Sequence, residues 1–183
     1  VSQKEGYCKG AVLADNMDYV KNSVGEGGLS KLMRYMRDIG YDISEIDRNR
    51  WYPLEMRVAF LKAIKEIFQW GDEDIEKMGE EGSRSEMKIG FLLKYLASPE
   101  IILKSAEKIW REYYTVGNMK LMHLDGNSAV LRLTDFDYDP IMCVYLRGFF
   151  RSLKPILRVD SLSVRETVCT HKGGDFHEFV IEW

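Results

Sequence analysis

Met119-Lys-Leu-Met-His-Leu124, then Asp125-Gly126-Asn127, then Ser128-Ala-Val-Leu-Arg-Leu133 read in succession as strand, turn and strand, and this hairpin decides the fold. Asp-Gly between alternating apolar positions supplies the positive φ that a tight hairpin turn demands. Downstream, Leu157–His171 forms one arm of a second hairpin, Lys172-Gly173-Gly174-Asp175 its turn, and Phe176–Trp183 its return arm. Between the hairpins Asp139-Pro140 opens a helix: Asp serves as N-cap, and Pro sits where its missing N–H leaves no bond unmade. Everything upstream carries helical spacing. The predicted class is α+β: a helical N-terminal two-thirds followed by β-hairpin, α-helix and β-hairpin, the strands forming an antiparallel sheet.

Working back from the first hairpin, Ser98-Pro99-Glu100 starts a long helix to about Tyr114, with a good cap, Pro in the first turn and a carboxylate at the positive end of the dipole. Residues 72–96 read as two shorter helices separated around Gly79–Ser83. Met56–Phe68 is the most regular helix, with Val58, Leu61, Ile64, Ile67 and Phe68 on one face and Arg57, Lys62, Lys65 and Glu66 opposite. Trp51-Tyr52-Pro53 breaks the chain before it, because a residue preceding Pro is pushed out of the α region. Residues 11–24 and about 29–39 form a helix hairpin around Gly25-Glu26-Gly27-Gly28.

The chain has 183 residues, 45% hydrophobic and 30% charged, which fits one domain spanning residues 1–183 with a substantial core. A net charge of −3 argues against a nucleic-acid binder, which needs a basic surface to displace counterions. Cys8, Cys143 and Cys169 are widely spaced and odd in number, which suits free thiols in a cytoplasmic setting. No window resembles a membrane span or a signal peptide. The lack of an initiating Met, and an end inside a strand pattern, suggest an artificial boundary or a larger parent chain.

Chemistry is sparsely marked. Cys169, His171 and His177 lie within nine residues of one hairpin and are the metal-ligand candidates, since zinc takes three or four N or S ligands. If Gly173-Gly174 is a two-residue turn, His171 pairs with Phe176 and Cys169 with Glu178. Cys169 and His171 then share one face and His177 takes the other, while Val164, Val168, Phe179, Ile181 and Trp183 gather on an apolar face. That register is preferred, and no metal is expected. A three-residue loop would bring all three candidates together. No nucleophile elbow or triad is present, so no catalytic residue is assigned and enzymatic activity is not expected. The glycine clusters lack the strand–turn–helix setting of a nucleotide site.

One feature points to a ligand. The long helix presents Ile102, Ala106, Ile109, Trp110 and Tyr113 on one stripe, and the later helix presents Ile141, Tyr145, Leu146, Phe149 and Phe150. With Phe91 and Tyr95 these rings either fill a core or line an apolar pocket with few polar groups. The candidate ligand-binding set is Phe91, Tyr95, Trp110, Tyr113, Tyr145 and Phe149, taking a small apolar molecule. Met33, Met36 and Met56 suit adaptable contacts, such as those of a homodimer.

Lys9-Gly10-Ala11-Val12 at the first helix, the helical two-thirds, and the closing Lys172-Gly-Gly-Asp-Phe-His-Glu-Phe-Val-Ile181 together resemble a superfamily of three branches. These are the heme-nitric-oxide-binding domains, the vinyl-4-reductase (4VR) domains and the TRAPP-type transport subunits. The resemblance covers nearly the whole chain. The heme branch uses an axial His on the helix corresponding to Pro99–Tyr114 and a Tyr-x-Ser-x-Arg motif. That helix here has no His, and Arg132–Asp139 has no such motif, so the resemblance implies the fold without the cofactor. The vinyl-4-reductase branch is heme-free and implies a small-molecule module attached to a signalling partner, fused or separate. Cys169 falls near where that branch carries a cysteine. The transport branch implies a dimeric scaffold. The expected function is therefore a non-heme, cofactor-free domain that binds an apolar ligand as a sensor or accessory module; the alternatives are the scaffold and a heme-based gas sensor.

Overall fold

A computed structural model describes residues 5–82 and 99–183. Strand β1 (Tyr7–Lys9) leads directly into helix α1 (Gly10–Asp38), and β2 (Trp51–Pro53) pairs antiparallel with β1 before α2 (Leu54–Phe68) and α3 (Asp72–Gly82). After the undescribed segment come α4 (Pro99–Lys104), α5 (Ala106–Tyr113), β3 (Asn118–Leu124), β4 (Ser128–Thr134), α6 (Ile141–Arg151), α7 (Lys154–Leu157), β5 (Ser163–Val168) and β6 (His177–Glu182). The two hairpins join edge to edge in one antiparallel sheet of order β3-β4-β6-β5. Ala129, Leu131 and Leu133 of β4 and Phe179 and Ile181 of β6 are buried on its inner face, as alternation requires. No helix among the described residues is long and apolar enough to cross a membrane.

The α+β class and its order stand as expected, with local differences. The expected break around Gly25 is present: α1 is two helical stretches that meet at a kink at Gly25, whose φ of 75° and ψ of 176° no L side chain adopts easily. The long helix to Tyr114 is two. Ser105 turns its Oγ onto the Ile101 carbonyl at 2.8 Å, the back-bonding that bends helices, and divides α4 from α5. Gly126 does not take a positive φ; Asp125 holds the turn through its carboxylate, which accepts from the Asn127 and Ser128 backbone N–H groups. Asp139 does cap α6, accepting from the Ile141 N–H at 3.0 Å. The Trp51–Pro53 break turns out to be a strand. Met36 and Met56 are core residues, not a contact face.

α3 ends at Gly82, inside the Gly79–Ser83 stretch expected to separate two helices, and the second of those helices lies outside the described residues. Gly79 itself lies within α3, where α3 and α6 cross backbone to backbone. A Cβ on Gly79 would strike the Tyr145 carbonyl, and one on Gly148 the Glu76 carbonyl. Glu76 closes the same crossing by accepting from Arg147 Nε at 2.6 Å and pairing with Arg151 at 2.5 Å. At the start of α1, Gly10 admits the backbone of the loop before β2: its N–H donates to the Arg50 carbonyl at 2.8 Å, and a Cβ there would meet the Asp47 carbonyl.

Candidate functional site

An apolar cavity of ≈ 60 Å³ lies between α4–α5, α6 and the inner face of β3–β4. Ile102, Leu103, Ala106, Ile109, Trp110 and Tyr113 wall it from α4 and α5, Leu146, Phe149 and Phe150 from α6, and Met119 and Leu131 from the sheet. The stripe read from helical spacing is what brings these side chains together: Ile102, Ala106, Ile109 and Tyr113 recur every three or four residues along one face. Trp110 is anchored firmly. Its Nε1 donates to the Val116 carbonyl at 2.9 Å, its ring stacks on Tyr114 at 4.2 Å, and Phe136 meets it edge-on at 5.4 Å.

Three of the six candidate ligand residues, Trp110, Tyr113 and Phe149, line this cavity. Tyr145 does not. Its hydroxyl accepts from Asn16 Nδ2 at 2.9 Å, and its ring lies 4.2 Å from the guanidinium carbon of the fully buried Arg57, which in turn bonds the Tyr114 hydroxyl. Tyr145 thus links α6 to α1 and α2 behind the cavity rather than walling it. Phe91 and Tyr95 lie outside the described residues.

A second cluster sits at the far end of α6. Cys143, Glu166, Cys169 and His177 each bring one S, O or N atom to within 4.8 Å of all the others. Cys143 Sγ is 3.8 Å from Cys169 Sγ and 3.6 Å from His177 Nδ1, and His177 Nδ1 is 3.0 Å from Glu166 Oε1. The Glu166 side chain is 3% exposed. The other ring nitrogen of His177, Nε2, donates to the Phe136 carbonyl at 2.8 Å, with Thr170 Oγ1 3.1 Å away. Burial pushes the Cys143 thiol up, and the negative Glu166 beside it adds to that. Burial also opposes the Glu166 charge, yet hydrogen bonds from His177, Cys143 and Cys169 outweigh it and hold the carboxyl below its usual range.

The hairpin register expected from a two-residue Gly173-Gly174 turn is not the one formed. Val168, not Cys169, pairs with Glu178, after a bulge between Glu166 and Val168. A 3₁₀ turn at Thr170–Lys172 then folds back, the Cys169 carbonyl accepting from the Lys172 and Gly174 N–H groups. Cys169 and His177 therefore meet on the inner side. His171 stays outside the cluster, its ring 5.8 Å from that of His177 and its Nδ1 3.9 Å from Asp137. Glu166, on β5 of the same hairpin and three residues before Cys169, joins them, and Cys143 comes from α6, which no spacing in the sequence links to the hairpin.

No family model matches the chain, and neither does any curated protein. Solved structures do match in fold. An H-NOX protein from S. oneidensis, a mutant in its Fe(II) ligation state, superposes with a TM-score of 0.73 at 13% identity, covering 95% of both chains. An oxygen-binding H-NOX domain related to soluble guanylate cyclases gives 0.70 at 10% identity over 95% of this chain and 94% of that one. An Fe(II) unliganded H-NOX mutant from K. algicida gives 0.69 at 13% identity, with 95% of each covered. At such identities the likeness is one of architecture, and the architecture of this chain is that of the H-NOX proteins.

Proposed function

We propose that this chain is a ligand-binding domain that holds a small apolar molecule, not a heme, between α4–α5 and α6, and serves as a sensor or accessory module. The observation that carries the reading is the cavity itself: aliphatic and aromatic walls from three directions around ≈ 60 Å³ of space. One water needs roughly 10–15 Å³ by this measure, so the space is about that of four to six waters, and its walls offer water few partners. A slim apolar molecule, or the end of an acyl chain, matches both size and lining.

Heme does not fit the residues present. The space is a small fraction of what a porphyrin occupies, and the imidazole that holds iron in many heme proteins is missing from its walls. All three histidines of the chain lie elsewhere: His123 on β3, His171 on the 3₁₀ turn and His177 on β6. Tyr114, which borders the cavity, has its hydroxyl engaged by Arg57.

The test has two arms. Titration with a fluorescent fatty-acid probe should saturate and be competed by unlabelled medium-chain acids; absence of saturable binding would overturn the apolar-ligand reading. Reconstitution with hemin should give no stoichiometric, sharp Soret band, and a band of that kind that vanished on His123→Ala would overturn the heme-free reading.

A further inference from the structure

We propose that the groove over α2 is a docking site for a basic amphipathic helix of a protein partner. The groove is open and measures ≈ 830 Å³. Its floor is one stripe of α2: Glu55, Val58, Ala59, Lys62, Ala63 and Glu66 recur at helical spacing on the side opposite the buried Ile64. Tyr35 and Ile39 at the end of α1 form one wall, and Asp137–Asp139 with His171 form the other. Ile39 is 46% exposed, so its side chain carries the apolar part of the floor up to the rim. Ala59 and Ala63 keep the middle of the floor low, which lets a second helix approach closely.

Charge selects the occupant. Four carboxylates, Glu55, Glu66, Asp137 and Asp139, face one ammonium, Lys62, so with His171 neutral the groove carries −3. The whole chain also carries −3, so the charges elsewhere cancel and the excess is gathered here. Lys62 is taken by Asp139 at 2.9 Å. Glu66 and Asp137 accept hydroxyl hydrogens, from Tyr35 at 2.7 Å and from Thr170 at 3.1 Å, which leaves their charges uncancelled, and no cation pairs with Glu55 among the described residues. A second copy of the chain, an anionic membrane and a nucleic acid are all net negative, whereas a helix with Lys or Arg beside an apolar stripe complements both the charge and the floor. Glu55 and Glu66 are eleven residues apart on α2, about 16 Å along the axis at about 1.5 Å per residue. Basic side chains three turns apart on the partner helix therefore reach both, while the apolar ones between them lie on Val58, Ala59 and Ala63.

The experiment titrates the whole chain, at low ionic strength, with a fluorescent synthetic peptide of Leu, Ala and Lys that carries a leucine stripe and lysines eleven positions apart. A twin with Glu in place of Lys is the control. The lysine peptide should bind saturably, one per chain, and gain helix on binding, while the glutamate twin does not bind. Glu55→Gln combined with Glu66→Gln should weaken binding by about three- to tenfold, the scale of two exposed ion pairs, and Ala59→Trp, which fills the floor, should weaken it further. Glu45→Gln combined with Glu73→Gln removes the same charge away from the groove and should change affinity by less than about twofold. The proposal is overturned if the lysine peptide fails to saturate, if the Glu45 and Glu73 pair matters as much as the groove pair, or if spermine, which has the charge without the stripe, binds the parent chain as tightly as the peptide does. The first and last of these readouts need no variant to fold.

Discussion

Trp110 and Phe149 face each other across the same cavity but differ in what stands behind them, and truncating each separates a lined pocket from a filled core. Trp110 is 4% exposed, stacked on Tyr114 and bonded to the Val116 carbonyl. Removing a tryptophan from a packed core costs about 3–5 kcal/mol. Here part of the ring borders empty space, which sets the packing loss at the lower end, about 3 kcal/mol. The Val116 carbonyl left without its donor adds about 1 kcal/mol, for a total near 4. Phe149 is only partly buried, with the cavity on one side and an edge contact to Phe150 at 5.4 Å on the other. Burying a phenylalanine fully is worth about 1.5–3 kcal/mol, so Phe149→Ala should cost about 1–1.5 kcal/mol. Urea unfolding reads these costs, and titration of the fatty-acid probe on the same samples reads binding, which Phe149→Ala should weaken several-fold. Since domains of this kind are stable by about 5–15 kcal/mol, Trp110→Phe, which keeps the stack and loses only the indole N–H, covers the case in which the alanine variant unfolds. A Phe149→Ala cost of 3 kcal/mol or more, with probe affinity equal to the parent's, would refute the reasoning and leave the rings as ordinary core.

Gly148→Ala should destabilise by about 3 kcal/mol, the upper end for overpacking, because the new methyl meets a backbone carbonyl that no rotamer change can clear; a calorimetric scan showing less than about 1 kcal/mol would contradict the close crossing. Asp139 is partly buried, which opposes its charge, but the Ile141 N–H and Lys62 more than compensate and hold its carboxyl below the usual range. Its contribution is therefore full above the ordinary Asp pKa of about 3.9 and is lost as pH falls through the lower folded value. Asp139→Asn should flatten that acid limb while keeping an N-cap, and parallel limbs for variant and parent in pH-dependent urea melts would argue against the assignment.

Legibility followed the range of the interactions. Hairpins and helix starts rest on neighbours in sequence, so Asp139-Pro140 and the Met119–Leu133 hairpin could be read directly, and the stripe from Ile102 to Tyr113 announced the cavity wall. Tyr145 was assigned to the wrong side because α6 is buried on nearly every face from Ile141 to Leu146, which leaves periodicity no direction to report. The short β1–β2 pair left no pattern in three residues a side, one of them Pro53. The cluster of Cys143, Glu166, Cys169 and His177 was partly visible. Glu166, Cys169 and His177 sit on one hairpin, but a bulge and a 3₁₀ turn set their register, and Cys143 joins only through tertiary packing.

The glycine crossing of α3 and α6 has a mechanical consequence. Where two backbones touch with no side chain between them, there is no rotamer to yield, so α6 is a stationary wall, further held by the ion pairs of Glu76. The opposite wall is built differently: α4 and α5 are two short helices of six and eight residues, joined at the bend of Ser105. A ligand that needs more room than the cavity offers is therefore expected to displace α4 and α5 about the bend at Ser105 before it displaces α6.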